Sequence, residues 1–200
     1  MTTRRLSKPV SNRPMPCDPS ATNALTIWTI GHSTRPWEAF LKLLAEQGIT
    51  AIADVRRFPG SRRHPWFASE QMASVLPLLG VAYQWIPELG GRRKVQPNSP
   101  NGAWDNAAFQ GYADHMASSE FAKGLEKALA LAATHRTALM CAEAPWWRCH
   151  RRLICDLLTH RGHKVLHIVS SAEPKPHPLN PMALGVGQDL IYPPAQAALF

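Results

Sequence analysis

The twelve residues from Cys141 to Arg152 hold the side chains best suited to chemistry. They read Cys-Ala-Glu-Ala-Pro-Trp-Trp-Arg-Cys-His-Arg-Arg and combine two thiols, a carboxylate, an imidazole and three guanidiniums. An apolar, strand-like run precedes them and a helix-like run follows. Open α/β sheets bind ligands at such strand-to-helix turns, because strand ends and helix amino termini face one crevice. We therefore expect the chemistry of the protein in this segment.

Cys149 is the predicted nucleophile of this segment. It lies in or near the first turn of the predicted helix, with Arg148 and Arg151 beside it. Positive charge and a helix amino terminus lower the pKa of a thiol and enrich the reactive thiolate. The alternative is a small apolar residue packed in the core, which is a common role of free cysteine.

Two carboxylates, Asp54 and Glu143, form the predicted acid–base pair. Each follows a different predicted strand, so both could face one substrate, one activating water and the other assisting the leaving group. The alternative is that they form ion pairs with Arg56 or Arg151 and organise the crevice without doing chemistry.

Polar residues follow three predicted strands, and a parallel sheet would bring these strand ends to one edge. The first strand ends in Gly31-His32-Ser33, the second in Asp54-Val55-Arg56 and the fourth in Cys141-Ala142-Glu143. We therefore predict one crevice there. Its predicted catalytic residues are Asp54, Glu143 and Cys149, and its predicted binding residues are Gly31, His32, Ser33, Arg56, Ser61, Cys141, His150 and Arg151.

Zinc is a metal that these side chains suit. Cys141, Glu143, Cys149 and His150 offer the right ligand types, and His32 could complete the set. However, two cysteines separated by seven residues and followed at once by histidine are not a usual zinc spacing. We therefore expect no metal or other cofactor and keep zinc as an alternative.

Short apolar runs alternate with helical patterns along the chain, which predicts one three-layer α/β domain. Its sheet is expected to be mostly parallel, with helices on both faces. The predicted strands are 25–30, 50–55, 82–86, 138–141 and 165–168, and the predicted helices are 37–47, 69–79, 106–116, 120–134 and 148–160.

The two ends of the chain differ from this body in composition. Residues 1–24 read as a disordered, basic, Pro- and Ser-rich tail, residues 25–170 as the α/β domain, and residues 171–200 as a Pro-rich arm that could lie back over it. Within the domain, residues 89–104 carry no clear helix or strand pattern. We expect them to form a lid over the crevice.

Charge and cysteine content bound the partners and the compartment. The net charge is +8, which favours an anionic partner such as nucleic acid or a nucleotide. Arginines interleaved with aromatic residues, above all in residues 62–67, suit phosphate binding and base stacking. The chain has no apolar stretch long enough to cross a membrane, and four cysteines in 200 residues point to reduced thiols in the cytoplasm. The oligomeric state is not predicted.

The ordered set of these motifs resembles the DUF488 family, α/β proteins named for their unknown function. The resemblance covers residues 27–168, and its motifs are Thr29-Ile30-Gly31-His32-Ser33, Asp54-Val55-Arg56 with Pro59 and Ser61, Leu89-Gly90-Gly91, Phe109 to Tyr112, and Cys141-Ala142-Glu143 with Cys149-His150-Arg151. It implies an α/β fold and a functional role for Cys141 and Cys149, but no settled reaction.

Three functions follow from these residues. The leading hypothesis is an enzyme acting on nucleic acid or a nucleotide, by hydrolysis or base processing, with Arg56 and Arg151 on a phosphate. The second is a non-catalytic nucleic-acid-binding module. The third is a thiol-based redox or sulfur-handling protein, against which the lack of a Cys-x-x-Cys pair counts.

Overall fold

A six-stranded sheet forms the centre of the fold. The computed structural model describes residues 24–60 and 63–195, and its strand order is β3-β2-β4-β1-β5-β6. Five strands are parallel, and the edge strand β6 is antiparallel to β5. The strands are β1 (Thr26–Gly31), β2 (Ala51–Asp54), β3 (Ala82–Trp85), β4 (Thr137–Cys141), β5 (Lys164–Ile168) and β6 (Lys175–Pro176).

Five α-helices connect these strands, as predicted. They are α1 (Trp37–Glu46), α2 (Ser69–Val75), α3 (Ala107–Met116), α4 (Ser119–Thr134) and α5 (Arg151–His160). Helix α2 is shorter than predicted, since Pro77 begins a separate 3-10 turn. Helix α5 begins three residues later than predicted because Trp146–Arg148 forms its own 3-10 turn and Cys149 is extended, with φ −122° and ψ 148°.

Each face of the sheet is covered by its own apolar cluster, which confirms the predicted three-layer α/β architecture. Neighbouring residues of a strand point to opposite faces. In β1, Ile27 packs with α3, α4 and α5, whereas Trp28 packs with α1 and α2. In β4, Leu139 and Met140 divide in the same way.

The strand order places a crevice at the carboxyl ends of β1, β2 and β4. Strands β4 and β1 are neighbours in the sheet. From β1 the chain passes β4 and reaches β2 through α1 on one face, whereas from β4 it passes β1 and reaches β5 through α5 on the other face. The loops that leave β1 and β4 therefore turn to opposite faces of the sheet. Such a reversal opens a cleft beyond the strand ends.

The loop that follows β3 is tied to helix α3. The carboxylate of Asp114 accepts hydrogen bonds from the Gln96 amide (2.8 Å), the Ser99 hydroxyl (2.6 Å) and the Asn101 side chain (2.8 Å). The middle of residues 89–104 is therefore fixed in this structure. Closure of this loop over a substrate stays a prediction.

The carboxyl-terminal segment, as far as it is described, up to residue 195, packs on the body of the protein. Strand β6 pairs with β5, and β7 (Leu184–Val186) forms a hairpin with β8 (Asp189–Ile191). The hydroxyl of the buried Tyr192 donates to Asp156 of α5 at 2.9 Å. The division of the chain at residues 24 and 170 stays a prediction, and the tail at residues 1–23 lies outside the described residues. None of the helices in the described ranges could span a membrane.

Replacing Gly31 by alanine should destabilise the fold, because a Cβ there would lie 1.9 Å from the backbone oxygen of Glu143. We expect a loss of about 3 kcal/mol or more in the free energy of unfolding, since backbone cannot yield to the new atom cheaply. Denaturant unfolding measures this. Gly60→Ala is the control, as a Cβ there meets nothing within 4 Å, and equal effects of the two substitutions would contradict the packing described.

Candidate active site

Two adjoining hollows lie at the carboxyl ends of the strands. The inner hollow, of about 270 Å³, has Cys141, Cys149 and His150 in its wall. The outer hollow, of about 630 Å³, extends to His32 and Ser33 after β1. The residues that border both are Arg56, Phe58, Arg92, Ala142, Glu143 and Arg148.

The two cysteines of the inner hollow are in direct contact. Cys141 ends β4, and Cys149 precedes α5 after the 3-10 turn Trp146–Arg148 has reversed the chain. Their Sγ atoms lie 2.6 Å apart. The Cys141 Sγ also lies 2.9 Å from the Glu143 carboxylate. The strand end and the helix start thus form a dithiol next to an exposed acid.

Arg151 supplies positive charge to the two thiols from the interior of the protein. Its side chain is 1% exposed. The guanidinium donates to the Cys141 Sγ at 3.2 Å, to the Thr29 hydroxyl at 3.4 Å and to the Glu143 backbone oxygen at 2.5 Å. Among the described residues no carboxylate makes an ion pair with it. Of the groups that contact this guanidinium, a thiol is therefore the one that could ionise and balance its charge.

The two thiols differ in acidity. Burial opposes ionisation of Cys149, but the hydrogen bond from Cys141 and the charge of Arg151 outweigh it, so the pKa of the Cys149 thiol is lowered. Burial and the hydrogen bond with Cys149 raise the pKa of the Cys141 thiol. Cys149 is thus the more acidic thiol of the pair.

Glu143 and His150 complete the surroundings of the dithiol. Burial tends to raise the pKa of Glu143, but the hydrogen bond from Cys141 lowers it, so this side chain is a carboxylate at neutral pH. Burial lowers the pKa of His150. The Nε2 of this histidine donates to the Val55 carbonyl at 3.0 Å, which leaves its unprotonated Nδ1 3.6 Å from the Cys149 Sγ.

A buried chain of hydrogen bonds runs from Arg151 to Asp156. Its links are Thr29 to His167 (2.7 Å), His167 to His177 (2.9 Å) and His177 to Asp156 (2.8 Å). Arginine only donates and a carboxylate only accepts, so the two ends of the chain are fixed as donor and acceptor. Burial lowers the pKa of His167 to about 3, so its ring is neutral.

The same histidines resemble a metal site at first sight, because Cys155, His167 and His177 bring three donor atoms together. However, all four ring nitrogens of His167 and His177 are engaged in the hydrogen bonds of this chain. No lone pair is left for a metal ion. The role of this cluster is to hold Thr29, and through it Arg151, in place.

Asp54 lies beneath the crevice rather than in its wall. It is fully buried, and its oxygens bind Arg56 (2.8 and 2.5 Å) and the Tyr83 hydroxyl (2.6 Å). Asp54 thus fixes Arg56, whose guanidinium also approaches His32 Nε2 at 3.1 Å. Glu143 borders both hollows and Asp54 borders neither. An acid–base role for the pair stays a prediction.

The predicted binding residues occupy different levels of the site. His32 and Ser33 line the outer hollow, while Gly31 packs under the Glu143 backbone. Burial and the charge of Arg56 lower the pKa of His32 to about 4, so its ring is neutral. Arg151 lies behind the thiols and lines neither hollow. Ser61 lies outside the described residues.

One part of the predicted base-stacking surface is wrong. Phe67 is fully buried and stacks on His32 with ring centroids 4.2 Å apart, so it has no face for a ligand. Arg62 of the same segment lies outside the described residues. The exposed ring at the crevice is instead Phe58, next to Arg57. The sequence gives only a weak signal for it, namely its place directly after the second strand end.

Fold and site together define an α/β protein with a dithiol at the point where the strand order reverses. The chain belongs to the family described as Domain of unknown function DUF488, whose model matches residues 36–158. No curated protein and no solved structure matches it. The family description states no activity, so the function is argued from the site.

The rate at which iodoacetamide modifies Cys149 should reach half its maximum at a lower pH than for an ordinary cysteine. The thiolate is the reactive form, and the pKa of this thiol is lowered. Replacing Arg151 by methionine should move that midpoint upward because it removes the stabilising charge. Mass spectrometry of the peptide that contains Cys149 reads the rate separately from other thiols.

Arg161→Met is the matched control, since Arg161 caps the carboxyl end of the same helix, donates to the Gln188 backbone oxygen and forms its ion pair with the exposed Asp189. Its profile should equal that of the unmodified protein. A Cys149 that titrates like a free thiol in the unmodified protein would contradict the assignment, whether or not the Arg151 variant folds.

Proposed function

We propose that the protein is a thiol-dependent enzyme that exchanges thiols and disulfides with an anionic substrate. Cys149 is the attacking thiol and Cys141 the resolving thiol. The main observation in favour of this proposal is the distance of 2.6 Å between their Sγ atoms. A disulfide bond measures about 2.05 Å, so a shift of roughly half an ångström joins the two sulfurs.

The distance favours a dithiol over a zinc site. Two sulfurs bound to one tetrahedral zinc at about 2.3 Å each lie roughly 3.7 Å apart. The Sγ atoms here are much closer than that, and the Arg151 guanidinium already supplies a positive charge 3.2 Å from the Cys141 Sγ. Zinc would require both sulfurs to separate and Arg151 to withdraw.

The difference in acidity supports the roles given to the two thiols. Both cysteines are buried in the wall of the inner hollow, with 2% of Cys149 exposed. The pKa of Cys149 is lowered and that of Cys141 is raised. A resolving thiol attacks second, so it can be the less acidic of the two.

The exchange takes two displacements. The Cys149 thiolate attacks one sulfur of the substrate disulfide, and the other sulfur leaves with the electron pair as a thiolate. Cys141 then passes its proton to the Glu143 carboxylate and attacks the Cys149 sulfur, which expels the second thiolate. The dithiol is oxidised by two electrons and the substrate disulfide is reduced. Two molecules of a thiol of low molecular weight regenerate the dithiol by the reverse steps and leave joined to each other as a disulfide.

The crevice rim supports an anionic substrate. Arg57, Arg92 and Arg148 are exposed along the hollows, and none of them forms an ion pair within residues 24–60 and 63–195. Guanidiniums bind phosphates and carboxylates through paired hydrogen bonds. A nucleotide or nucleic acid is therefore a suitable anion.

Hydrolysis of such a nucleotide substrate is the second candidate. The observation that favours it is the exposed Glu143 carboxylate, which borders both hollows and could activate water. The two candidates differ in their need for the thiol. Hydrolysis through Glu143 persists in Cys149→Ser and is lost in Glu143→Gln, whereas thiol exchange is lost in Cys149→Ser.

The reduced protein should release two aryl thiolates per chain from the dianionic reagent dithiobis(nitrobenzoate) and keep no aryl group. The first leaves when Cys149 attacks and the second when Cys141 resolves the mixed disulfide. Cys141→Ser should release one and keep the aryl group on Cys149. Absorbance of the released thiolate and intact-protein mass read these outcomes, in a Cys17→Ser background that removes the thiol near the amino terminus.

Cys155→Ser is the matched control, since Cys155 is fully buried and burial raises the pKa of its thiol. It should behave like the parent protein. A stable aryl adduct on Cys149 in the presence of Cys141 would show that the second thiol does not resolve the first.

A further inference from the structure

Phe58 is an exposed aromatic ring at the border of the two hollows. Its side chain is 65% exposed, and it lines both the inner and the outer hollow. A single exposed apolar residue needs no explanation by itself. However, this ring lies between the reactive thiols and the exposed arginines of the outer hollow, so a bound substrate would pass across it.

Two guanidiniums flank the Phe58 ring. The Arg57 guanidinium carbon lies 5.6 Å and that of Arg92 6.0 Å from the ring centroid. Arg57 also donates to the Arg92 backbone oxygen at 2.8 Å, which ties the loop after β2 to the loop after β3. The ring and its two charges therefore form one platform built from both loops.

The backbone around the platform is unusually constrained. A Cβ on Gly90 would lie 2.6 Å from Arg57 Cα, so the two loops touch through backbone. Arg92 adopts a left-handed conformation with φ +60°, which a residue with a side chain rarely takes. Strain of this kind persists where the surroundings hold it, and it is concentrated at ligand sites.

We propose that this platform binds a nucleotide unit, with its base stacked on Phe58 and its phosphate held by Arg92 and Arg148. This inference rests on the thiol exchange proposed above for the reactive end of the substrate. The inner hollow of about 270 Å³ takes the sulfur-bearing end, and the outer hollow of about 630 Å³ has room for the phosphate and sugar. Stacking accepts any base, because every base has a π face.

The test compares two disulfides that differ only in the nucleotide. Coenzyme A disulfide carries an adenine nucleotide on each arm, and pantethine has the same reactive disulfide without it. The protein should have a KM about tenfold lower for coenzyme A disulfide, the change that one stacking contact provides. Phe58→Leu should remove the difference in KM between the two disulfides, because it removes a stacking contact that only coenzyme A disulfide can make, and Phe58→Trp should retain the difference.

Trp147→Leu is the matched control, because Trp147 is an exposed aromatic residue, 50% accessible, that borders neither hollow. It should keep the preference. Equal KM values for the two disulfides, with no effect of Phe58→Leu, would overturn the nucleotide platform and leave the thiol exchange intact. Failure of both disulfides to react at Cys149 would overturn the exchange.

A second measurement judges the platform without any turnover. Adenosine monophosphate should protect Cys149 from iodoacetamide, and Phe58→Leu should reduce that protection about tenfold. The same measurement with a short single-stranded oligonucleotide shows whether the protein binds a free nucleotide or a nucleotide within a strand. Protection of Cys149 by either ligand supports the proposal. If inorganic phosphate protected Cys149 as well as the mononucleotide does, base stacking on Phe58 would contribute nothing to binding, and the proposal would be overturned.

Discussion

The site depends on a buried guanidinium, that of Arg151, which forms no ion pair with any carboxylate of the described residues. Arg151 is charged at every accessible pH, and removing such a charge from water costs several kcal/mol unless an anion compensates it. The guanidinium contacts the Cys141 Sγ, and its charge lowers the pKa of the neighbouring Cys149 thiol. Asp156 lies at the far end of the hydrogen-bonded chain through Thr29, His167 and His177. The fold thus fixes Arg151 beside the two thiols and favours ionisation of Cys149.

The rest of the architecture serves to bring this charge to the strand ends. The reversal of strand order opens the crevice beside β4. The 3-10 turn at Trp146–Arg148 returns the chain so that Cys149 meets Cys141, and Trp146 stacks on His167 with ring centroids 4.2 Å apart. Gly31 allows the Glu143 backbone to pass directly over β1, and that same backbone oxygen accepts from Arg151. Strands β1 and β4, which are buried on both faces, thus position the dithiol, the acid and the buried cation.

Local patterning was enough to predict the strands, the helices and the strand ends that carry the site, because apolar runs and helical periodicity depend on neighbouring residues alone. The contact between Cys141 and Cys149 depends on how the turn between them folds, and seven intervening residues carry no recognised spacing. The chain of His167 and His177 to Asp156 joins β5, α5 and the carboxyl-terminal segment, so only the tertiary structure shows it. For Asp54 the sequence left two possibilities, catalysis or an ion pair with Arg56. The structure shows that ion pair, and the Tyr83 hydroxyl donates to the same carboxylate.

The most direct measurement is the mapping of disulfides in the full-length protein after equilibration in an oxidising glutathione buffer. We expect a link between the peptides that contain Cys141 and Cys149, with loss of two hydrogens and full reversal by a reducing thiol, while Cys155 stays free. Retention of both thiols in their reduced form under conditions that oxidise ordinary dithiols, or a link from Cys149 to any other cysteine, would contradict it.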